Sequence, residues 1–187
     1  MAEVSLKGRL LVANPTLSDP NFDRTVVYVL AHEPEGALGL VLNRPSGMEL
    51  EEPLPRWERL AAAPAVVFVG GPVSPSSAIC LAQVPAGPAD EVEGFARLTG
   101  TLGTVDLEHD PDDLEVEIDA VRVFAGHAGW AARQLDDEIR AGGWFVVPAL
   151  PGDVMSADPA QLWKHVLRRQ VGRMALVAGY PPDPELN

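Results

Sequence analysis

Residues 24–31 read RTVVYVLA, residues 33–36 read EPEG, and residues 37–43 read ALGLVLN. The first run is rich in β-branched and aromatic residues, which predicts a strand that is buried on both faces. A proline and a glycine in the second run favour a tight turn, so the third run is predicted to return as the second strand of a hairpin. Gly39 inside that strand indicates a β-bulge or a close approach of another backbone segment.

Further strands are predicted where short apolar runs are bounded by turn residues. They cover residues 9–13, 65–69, 76–83, 92–106 and 144–147. Two segments carry an apolar stripe at helical spacing, residues 49–60 and a last helix that follows Asp158 and has Pro159 in its first turn. The acidic stretch 106–113 is interpreted as a solvated loop that leads into a short helix.

The segment 121–140 is predicted to form a strand, a turn and a helix in that order. Residues 121–125 are the strand, Gly126 and Gly129 bound a tight turn, and residues 130–140 form the helix. No internal repeat or linker interrupts this pattern, so the chain is predicted to be of mixed α and β structure.

The composition fits one soluble domain over residues 1–187, with residues 180–187 as a proline-rich, frayed tail. Hydrophobic residues make up 47% of the chain, which is enough for a core and excludes wholesale disorder. The net charge is −13, and only 14 residues are basic. Such a surface repels phosphate backbones, so direct binding of DNA or RNA is disfavoured.

The single cysteine, Cys80, lies in an apolar run and is interpreted as a buried hydrophobic residue rather than a reactive thiol. One cysteine cannot form an intramolecular disulfide, which suits a reducing compartment. The amino terminus lacks the features of a signal peptide, and the longest apolar run, residues 61–73, is too short to span a bilayer. The sequence therefore predicts a cytoplasmic protein without a membrane segment.

Several runs together resemble the YqgE/AlgH family, a widespread bacterial group. The matching runs are GRLLVANP (8–15), DPNFDRTV (19–26), GALGLVLNRP (36–45), GGPV (70–73), and the pairs Gly129-Trp130, Gln134-Leu135 and Glu138-Ile139. The resemblance implies an α+β fold of coiled, bifurcated, mainly antiparallel sheets packed around a central helix. It also implies a cytosolic protein, and some members of the family are described as transcriptional regulators. Two positions depart from the family's usual pattern: His127 replaces an aromatic residue, and Arg133 replaces a common glycine.

Two glycine pairs mark the candidate binding site. Gly126 and Gly129 are predicted to lie between a strand and a helix N-terminus, where backbone N–H groups and the helix dipole favour an anion. Arg133, one turn into that helix, would strengthen such a site. A lone glycine pair more often marks a sharp turn that needs positive φ or close packing. If Gly70 and Gly71 meet this turn in space, the cleft between the two is the candidate site for a phosphate or carboxylate.

Three polar residues join the candidate site. His127 has the chemistry of a general base or a pH switch, but the aromatic residue that usually stands there in the family favours a packing role. Asn43 and Arg44 end the second strand of the hairpin, and the planar guanidinium of Arg44 has the geometry to hold a carboxylate. In so acidic a chain, an internal ion pair of Arg44 with Asp19 or Asp23 is the favoured alternative.

The function classes are limited by what the sequence lacks. No motif for a catalytic nucleophile, a zinc site, a phosphate-binding loop or a dinucleotide site occurs, and no metal or cofactor is predicted. The favoured hypothesis is a cytosolic binding or regulatory protein that acts through a protein partner or a small anionic ligand, including as an indirect transcriptional regulator. The alternative is a small-molecule enzyme that acts on an anionic substrate at the turn between Gly126 and Gly129. A third hypothesis, a regulator that itself touches DNA, is disfavoured by the charge.

Overall fold

The computed structural model describes residues 5–87 and 91–181, so most of the predicted tail, residues 182–187, lies outside the described residues. The strands in these ranges are β1 (Arg9–Ala13), β2 (Val26–Glu33), β3 (Gly36–Val41), β4 (Pro45–Glu49), β5 (Val66–Val69), β6 (Val73–Gln83), β7 (Glu91–Val92), β8 (Phe95–Thr99), β9 (Leu102–Val105), β10 (Ala120–Ala131) and β11 (Trp144–Pro148). The helices are α1 (Pro55–Glu58), α2 (Gln134–Arg140), α3 (Pro159–Arg168) and α4 (Arg173–Val177). None of these helices is long and apolar enough to cross a membrane.

Strand β10 joins two curved sheets. Its second half pairs with β3, and its first half pairs with β6 on one side and with β5 on the other. The strand order is β11-β1-β2-β3-β10-β6-β9-β8-β7, with β4 paired to β5. Among the described strands, β5 and β10 form the one parallel pair, and the remaining pairs are antiparallel. The expected bifurcated and mainly antiparallel arrangement is therefore confirmed, as is the hairpin of β2 and β3.

Helix α3 is the central helix around which the sheets pack. Its buried face, which lies in the main hydrophobic core with residues of β1, β2 and β3, consists of Leu162, Trp163, Val166 and Leu167. The burial of such side chains stabilises a fold by roughly 1.5–3 kcal/mol each. The Trp163 indole Nε1 also donates a hydrogen bond of 2.9 Å to the carbonyl oxygen of Ala13 at the end of β1. The predicted start of this helix is confirmed, with Asp158 at the N-cap position and Pro159 in the first turn, although the Asp158 side chain makes no capping hydrogen bond.

A buried arginine fastens two loops to the sheet. Arg122 on β10 is 1% exposed, and its guanidinium donates to the carbonyl oxygens of Val154 and Ser156, both at 2.9 Å, and of Ala63 at 2.7 Å. The same group lies 4.3 Å from the centre of the Phe68 ring, which adds a cation–π attraction. Burial lowers the pKa of Arg122 to about 10, so the guanidinium keeps its charge at neutral pH.

Helix α2 is attached to the sheet through a carboxylate shared by two tryptophans. Glu138 Oε2 accepts hydrogen bonds from the indole Nε1 of Trp130 at 3.0 Å and of Trp144 at 2.8 Å, and Glu138 Oε1 accepts one from Gln134 at 2.9 Å. Phe22 packs on both indoles, with ring centroids 6.0 and 5.4 Å away. Both tryptophans are therefore core residues.

Two predictions of secondary structure are wrong in the middle of the chain. The helix predicted over residues 49–60 shrinks to the four residues of α1, because prolines 53 and 55 cannot donate to a preceding turn and a helix tolerates proline only at its start. The acidic stretch 106–113 is a loop, but residues 114–119 contain no helix. The region 92–106, predicted as strand, is divided by turns into β7, β8 and β9.

The predicted turn between Gly126 and Gly129 is also wrong. Strand β10 continues through both glycines, with a β-bulge between Ala125 and His127, and α2 begins only at Gln134. Gly126 has φ of 71°, which a bulge requires and which side chains disfavour. The glycine thus bends a strand, whereas the sequence pattern suggested that it ended one.

The link between β5 and β6 passes directly against the backbone of β10. A Cβ atom on Gly70 would lie 2.3 Å from the carbonyl oxygen of Gly126, and one on Gly71 would lie 2.2 Å from the carbonyl carbon of His127. Gly71 also has φ of 152°, so both space and backbone conformation exclude a side chain there. Gly70, Gly71 and Gly126 therefore mark one backbone crossing, and Gly129 lies outside it.

We expect Gly71→Ala to lower the free energy of unfolding by about 3 kcal/mol, because overpacking and backbone strain add at this position. Gly47→Ala is the matched control, since no atom lies within 4 Å of its added Cβ, and it should change stability by no more than about 0.5 kcal/mol. Urea denaturation followed by tryptophan fluorescence measures both. Equal midpoints for the two variants would contradict the backbone contact.

We expect Glu138→Ala to lower the free energy of unfolding by about 2–4 kcal/mol, because two buried indole N–H groups lose their acceptor. The near-ultraviolet circular dichroism of the tryptophans should weaken at the same time. Asp137→Ala is the control, because that carboxylate is exposed and pairs with Arg140 at the surface. A comparable loss in both variants would show that Glu138 does not hold the indoles.

Candidate functional site

The two glycine pairs meet in space, but they leave no cleft between them. Gly70 and Gly71 lie in backbone contact with Gly126 and His127, so the space that the sequence reserves for a ligand is occupied by main chain. At Gly70, Gly71 and Gly126 the two segments are therefore in direct backbone contact. The structural alternative, glycines needed for positive φ and close packing, is the one observed at Gly71 and Gly126.

His127, Gly129 and Arg133, which also belong to that predicted site, do not surround a helix N-terminus that could bind an anion. His127 is half-buried within β10, and Gly129 is exposed on the same strand. Arg133 is exposed at the N-cap of α2, with a left-handed φ of 62°. The first turn of this short helix carries Asp136 and Asp137, which disfavour a bound anion. The segment thus lacks the strand–turn–helix geometry on which the alternative of an enzyme depended.

A pocket of about 250 Å³ opens beside the glycine crossing. Three segments that are distant in sequence supply its walls: the loop between β1 and β2, the connection from β3 to β4, and the end of β5 with the residues after it. The lining residues are Pro20, Asn21, Val41, Arg44, Pro45, Val69, Gly71 and Pro72. Of the predicted site residues, Arg44 and Gly71 line this pocket, which is called the Arg44 pocket below.

The position of Arg44 is set by its neighbour in the chain. The Asn43 side chain accepts a hydrogen bond of 2.9 Å from the Val26 N–H and donates one of 2.8 Å to the carbonyl oxygen of Arg24. These bonds tie the end of β3 to the start of β2. Arg44 Nη2 then donates to the carbonyl oxygen of Asp23 at 2.8 Å. Asn43 therefore holds the backbone behind the pocket, and the neighbouring Arg44 lines the pocket.

The ion pair predicted between Arg44 and the carboxylate of Asp19 or Asp23 is wrong, because Arg44 binds a backbone carbonyl oxygen instead. Arg44 bonds to the backbone of Asp23, and no carboxylate lies within ion-pair distance of it among the described residues. The carboxylate of Asp19 accepts instead the Asn21 N–H at 2.9 Å, which fixes the loop at the pocket wall. A guanidinium has five N–H donors, and the structure gives Arg44 one hydrogen bond, so donors remain for a second acceptor.

The chemistry of the Arg44 pocket combines one cation with apolar walls. Among its lining residues, Arg44 is the only ionisable side chain. Prolines 20, 45 and 72 and two valines supply the walls, and Val69 is 47% exposed. Asn21 adds an amide that can donate or accept. This arrangement matches a ligand with one anionic group and a short apolar part.

A second cavity of about 150 Å³ lies between Tyr28, Thr99 and the loop at Leu150. Burial raises the pKa of Tyr28, and a hydrogen bond from Thr99 partly opposes that shift. No charged residue lines this cavity, and its volume admits several waters or one small organic molecule.

The one cysteine offers no nucleophile to either cavity. Cys80 is 2% exposed on β6, and burial raises the pKa of its thiol well above the usual range. The thiol therefore stays protonated, and the interpretation of Cys80 as a buried hydrophobic residue is confirmed.

Sequence reasoning missed most of the pocket wall. Pro20, Asn21 and Pro72 carry a local signal only for turns, and Val69 reads as an ordinary strand residue. The one available signal was that Pro20, Asn21 and Pro72 lie in two of the runs that match the family, 19–26 and 70–73, and that Val69 directly precedes the second of these. That these runs meet is a property of the sheet crossing, which no local pattern encodes.

Comparisons with known proteins agree with the fold and with the resemblance of the sequence. The profile of the AlgH-like family matches residues 10–175. The UPF0301 protein SCO2948 of Streptomyces coelicolor is 53% identical over 190 residues, covering 100% of this chain and 98% of that protein. A UPF0301 protein of Mycolicibacterium smegmatis is 45% identical, covering 96% of this chain and 90% of that protein.

Two solved structures share the architecture. The crystal structure of protein DIP2367 from Corynebacterium diphtheriae has a TM-score of 0.87 and 32% identity, covering 95% of this chain and 93% of that one. The solution structure of the AlgH protein from Pseudomonas aeruginosa has a TM-score of 0.67 and 27% identity, covering 98% of each chain. The match of family profile, relatives and α+β architecture leads to one conclusion: the chain belongs to the AlgH-like family of UPF0301 proteins.

Proposed function

We propose that this protein is a cytoplasmic binding and regulatory module that captures a small carboxylate or phosphate in the Arg44 pocket. The observation that carries the proposal is the convergence of three sequence-distant segments on one guanidinium with unused donors. A planar guanidinium holds a carboxylate or phosphate through two parallel hydrogen bonds, which fixes the orientation of the ligand.

The lining of the pocket favours binding over catalysis. Acyl or phosphoryl transfer needs a positioned nucleophile or general base beside the reacting atom. Arg44 is the one ionisable residue among those that line the pocket. Recognition needs only this charge and the apolar walls around it.

The size of the pocket narrows the class of ligand. Pockets for drug-sized molecules enclose about 300–1,000 Å³, and the Arg44 pocket encloses about 250 Å³. A short carboxylic acid or a phosphate monoester with few carbon atoms fits this volume better than a nucleotide does.

The structure suggests how occupancy could be transmitted. Arg24, next to the carbonyl that Arg44 binds, donates to the carbonyl oxygens of Tyr180 at 2.8 Å and Pro181 at 2.5 Å. It also lies 4.6 Å from the centre of the Trp163 ring on α3. A ligand that draws Arg44 away from Asp23 therefore changes the backbone beside a residue that holds α3 and the following segment. We propose that a protein partner reads this change, since a net charge of −13 disfavours DNA as the direct target.

Isothermal titration calorimetry against short mono- and dicarboxylates and small phosphate monoesters, each at millimolar concentration, tests the proposal. We expect at least one compound to bind, and Arg44→Ala to weaken that binding by at least about tenfold, because a charge-assisted hydrogen bond contributes about 1.5–3 kcal/mol. Arg44→Lys should retain part of the affinity, since it keeps the charge and loses the planar fork.

Arg56→Ala is the matched control, because Arg56 is an exposed arginine on α1, outside the pocket. The Arg56→Ala variant should bind the ligand with the affinity of the unmodified protein. The proposal fails if no compound of either class produces heat, or if Arg44→Ala binds as tightly as the Arg56→Ala control.

A further inference from the structure

Residues 159–181 carry a net positive charge, whereas the chain as a whole is strongly negative. Residues 159–181 contain Lys164, Arg168, Arg169 and Arg173 and no aspartate or glutamate, in a protein whose net charge is −13. Like charges in so short a run repel one another unless carboxylates lie nearby. The local excess of positive charge is therefore a feature that the fold has to accommodate.

One of these cations is used by the fold. Arg169 donates two hydrogen bonds of 2.6 Å to the carboxylate of Asp153, which is 5% exposed, and one of 3.2 Å to the carbonyl oxygen of Pro148. This bidentate pair fastens the end of α3 to the loop after β11. Arg168 and Arg173 are exposed, and within residues 5–87 and 91–181 neither of them makes an ion pair or a side-chain hydrogen bond.

Two large aliphatic side chains lie exposed in the same short segment as these arginines. Val171 is 87% exposed and Leu176 is 80% exposed, which makes them the most exposed large hydrophobic residues of the described chain. Helix α3 directs its own apolar residues into the core and leaves His165 and Arg168 outside. The exposed side chains of α3, α4 and the link between them, called the α3–α4 surface below, combine positive charge with unburied aliphatic area; they are His165, Arg168, Val171, Arg173 and Leu176.

We propose that the α3–α4 surface is the docking site for an acidic segment of a protein partner that also carries aliphatic side chains. Exposed apolar side chains within a charged rim are typical of protein interaction sites. Opposite charge steers such a segment toward this surface, while the acidic remainder of the chain repels it from other approaches. Contacts with the aliphatic side chains then favour this segment over an acidic segment that carries no aliphatic residues.

A uniform polyanion is a poorer match than a protein segment. Nucleic acids and anionic membranes present negative charge over an area far wider than this surface, so the surrounding carboxylates would face it too. A short segment can instead confine its carboxylates to the free arginines and place its aliphatic side chains on Val171 and Leu176.

Fluorescence anisotropy with a labelled peptide of alternating glutamate and leucine pairs, at physiological ionic strength, tests the proposal. We expect saturable binding that weakens by at least about tenfold in the double variant Arg168→Glu/Arg173→Glu, because the attraction becomes a repulsion. The double variant Val171→Ser/Leu176→Ser should also weaken binding, and both pairs are exposed, so the fold should persist. Arg56→Glu/Arg59→Glu is the control with the same change of charge, on α1 and at the residue that follows it, and it should bind the peptide as the unmodified protein does.

Three results would overturn the proposal. The first is no binding of the glutamate–leucine peptide, or equal binding of a glutamate–glycine peptide. The second is equally tight binding of duplex DNA or of phosphatidylglycerol vesicles, which would make the surface a general anion site. The third is concentration-dependent self-association in sedimentation velocity that Arg168→Glu/Arg173→Glu abolishes, which would identify a second copy of this chain as the occupant. Binding of small anions at the Arg44 pocket should be unchanged in these variants, so the two proposals fail or succeed separately.

Discussion

The fold depends on the hydrogen bonds of β10, because among the described strands it alone pairs with strands of both sheets. Along its 12 residues the partners change from β5 and β6 to β3. Its side chains also enter all three hydrophobic clusters: Val123 lies in one, Phe124 in the second, and Trp130 in the third. A bulge at Gly126 makes this possible, because it turns the strand and changes which face each side chain meets.

The Arg44 pocket is a consequence of that strand. The link from β5 to β6 can lie against β10 only because glycines remove the side chains at the contact. This contact fixes Gly71 and Pro72 at one wall, while the hydrogen bonds of Asn43 fix the opposite wall to β2. The walls are therefore held by backbone contacts and by the side-chain hydrogen bonds of Asn43, so the fold itself forms the pocket.

Local patterns predicted the strands better than the site. Runs of β-branched residues bounded by prolines and glycines are unambiguous over short distances, so β1, β2, β3, β5 and β11 could be recognised from the sequence. Glycine is ambiguous, since the same absence of a side chain serves a turn, a bulge and a backbone crossing. For that reason the sequence pattern predicts a turn at Gly126, where the structure has a bulged strand, and it singles out Arg44 without the pocket walls that surround it.

The burial of Cys80 has a practical consequence for studying this protein. The single native thiol is shielded and protonated, so it contributes little background to maleimide chemistry in the folded state. A cysteine introduced at the exposed Val69 or at Leu176 would then be the sole site for a fluorophore or a spin label, with no need to replace the native residue. Occupancy of either surface becomes observable by spectroscopy in an otherwise unaltered chain.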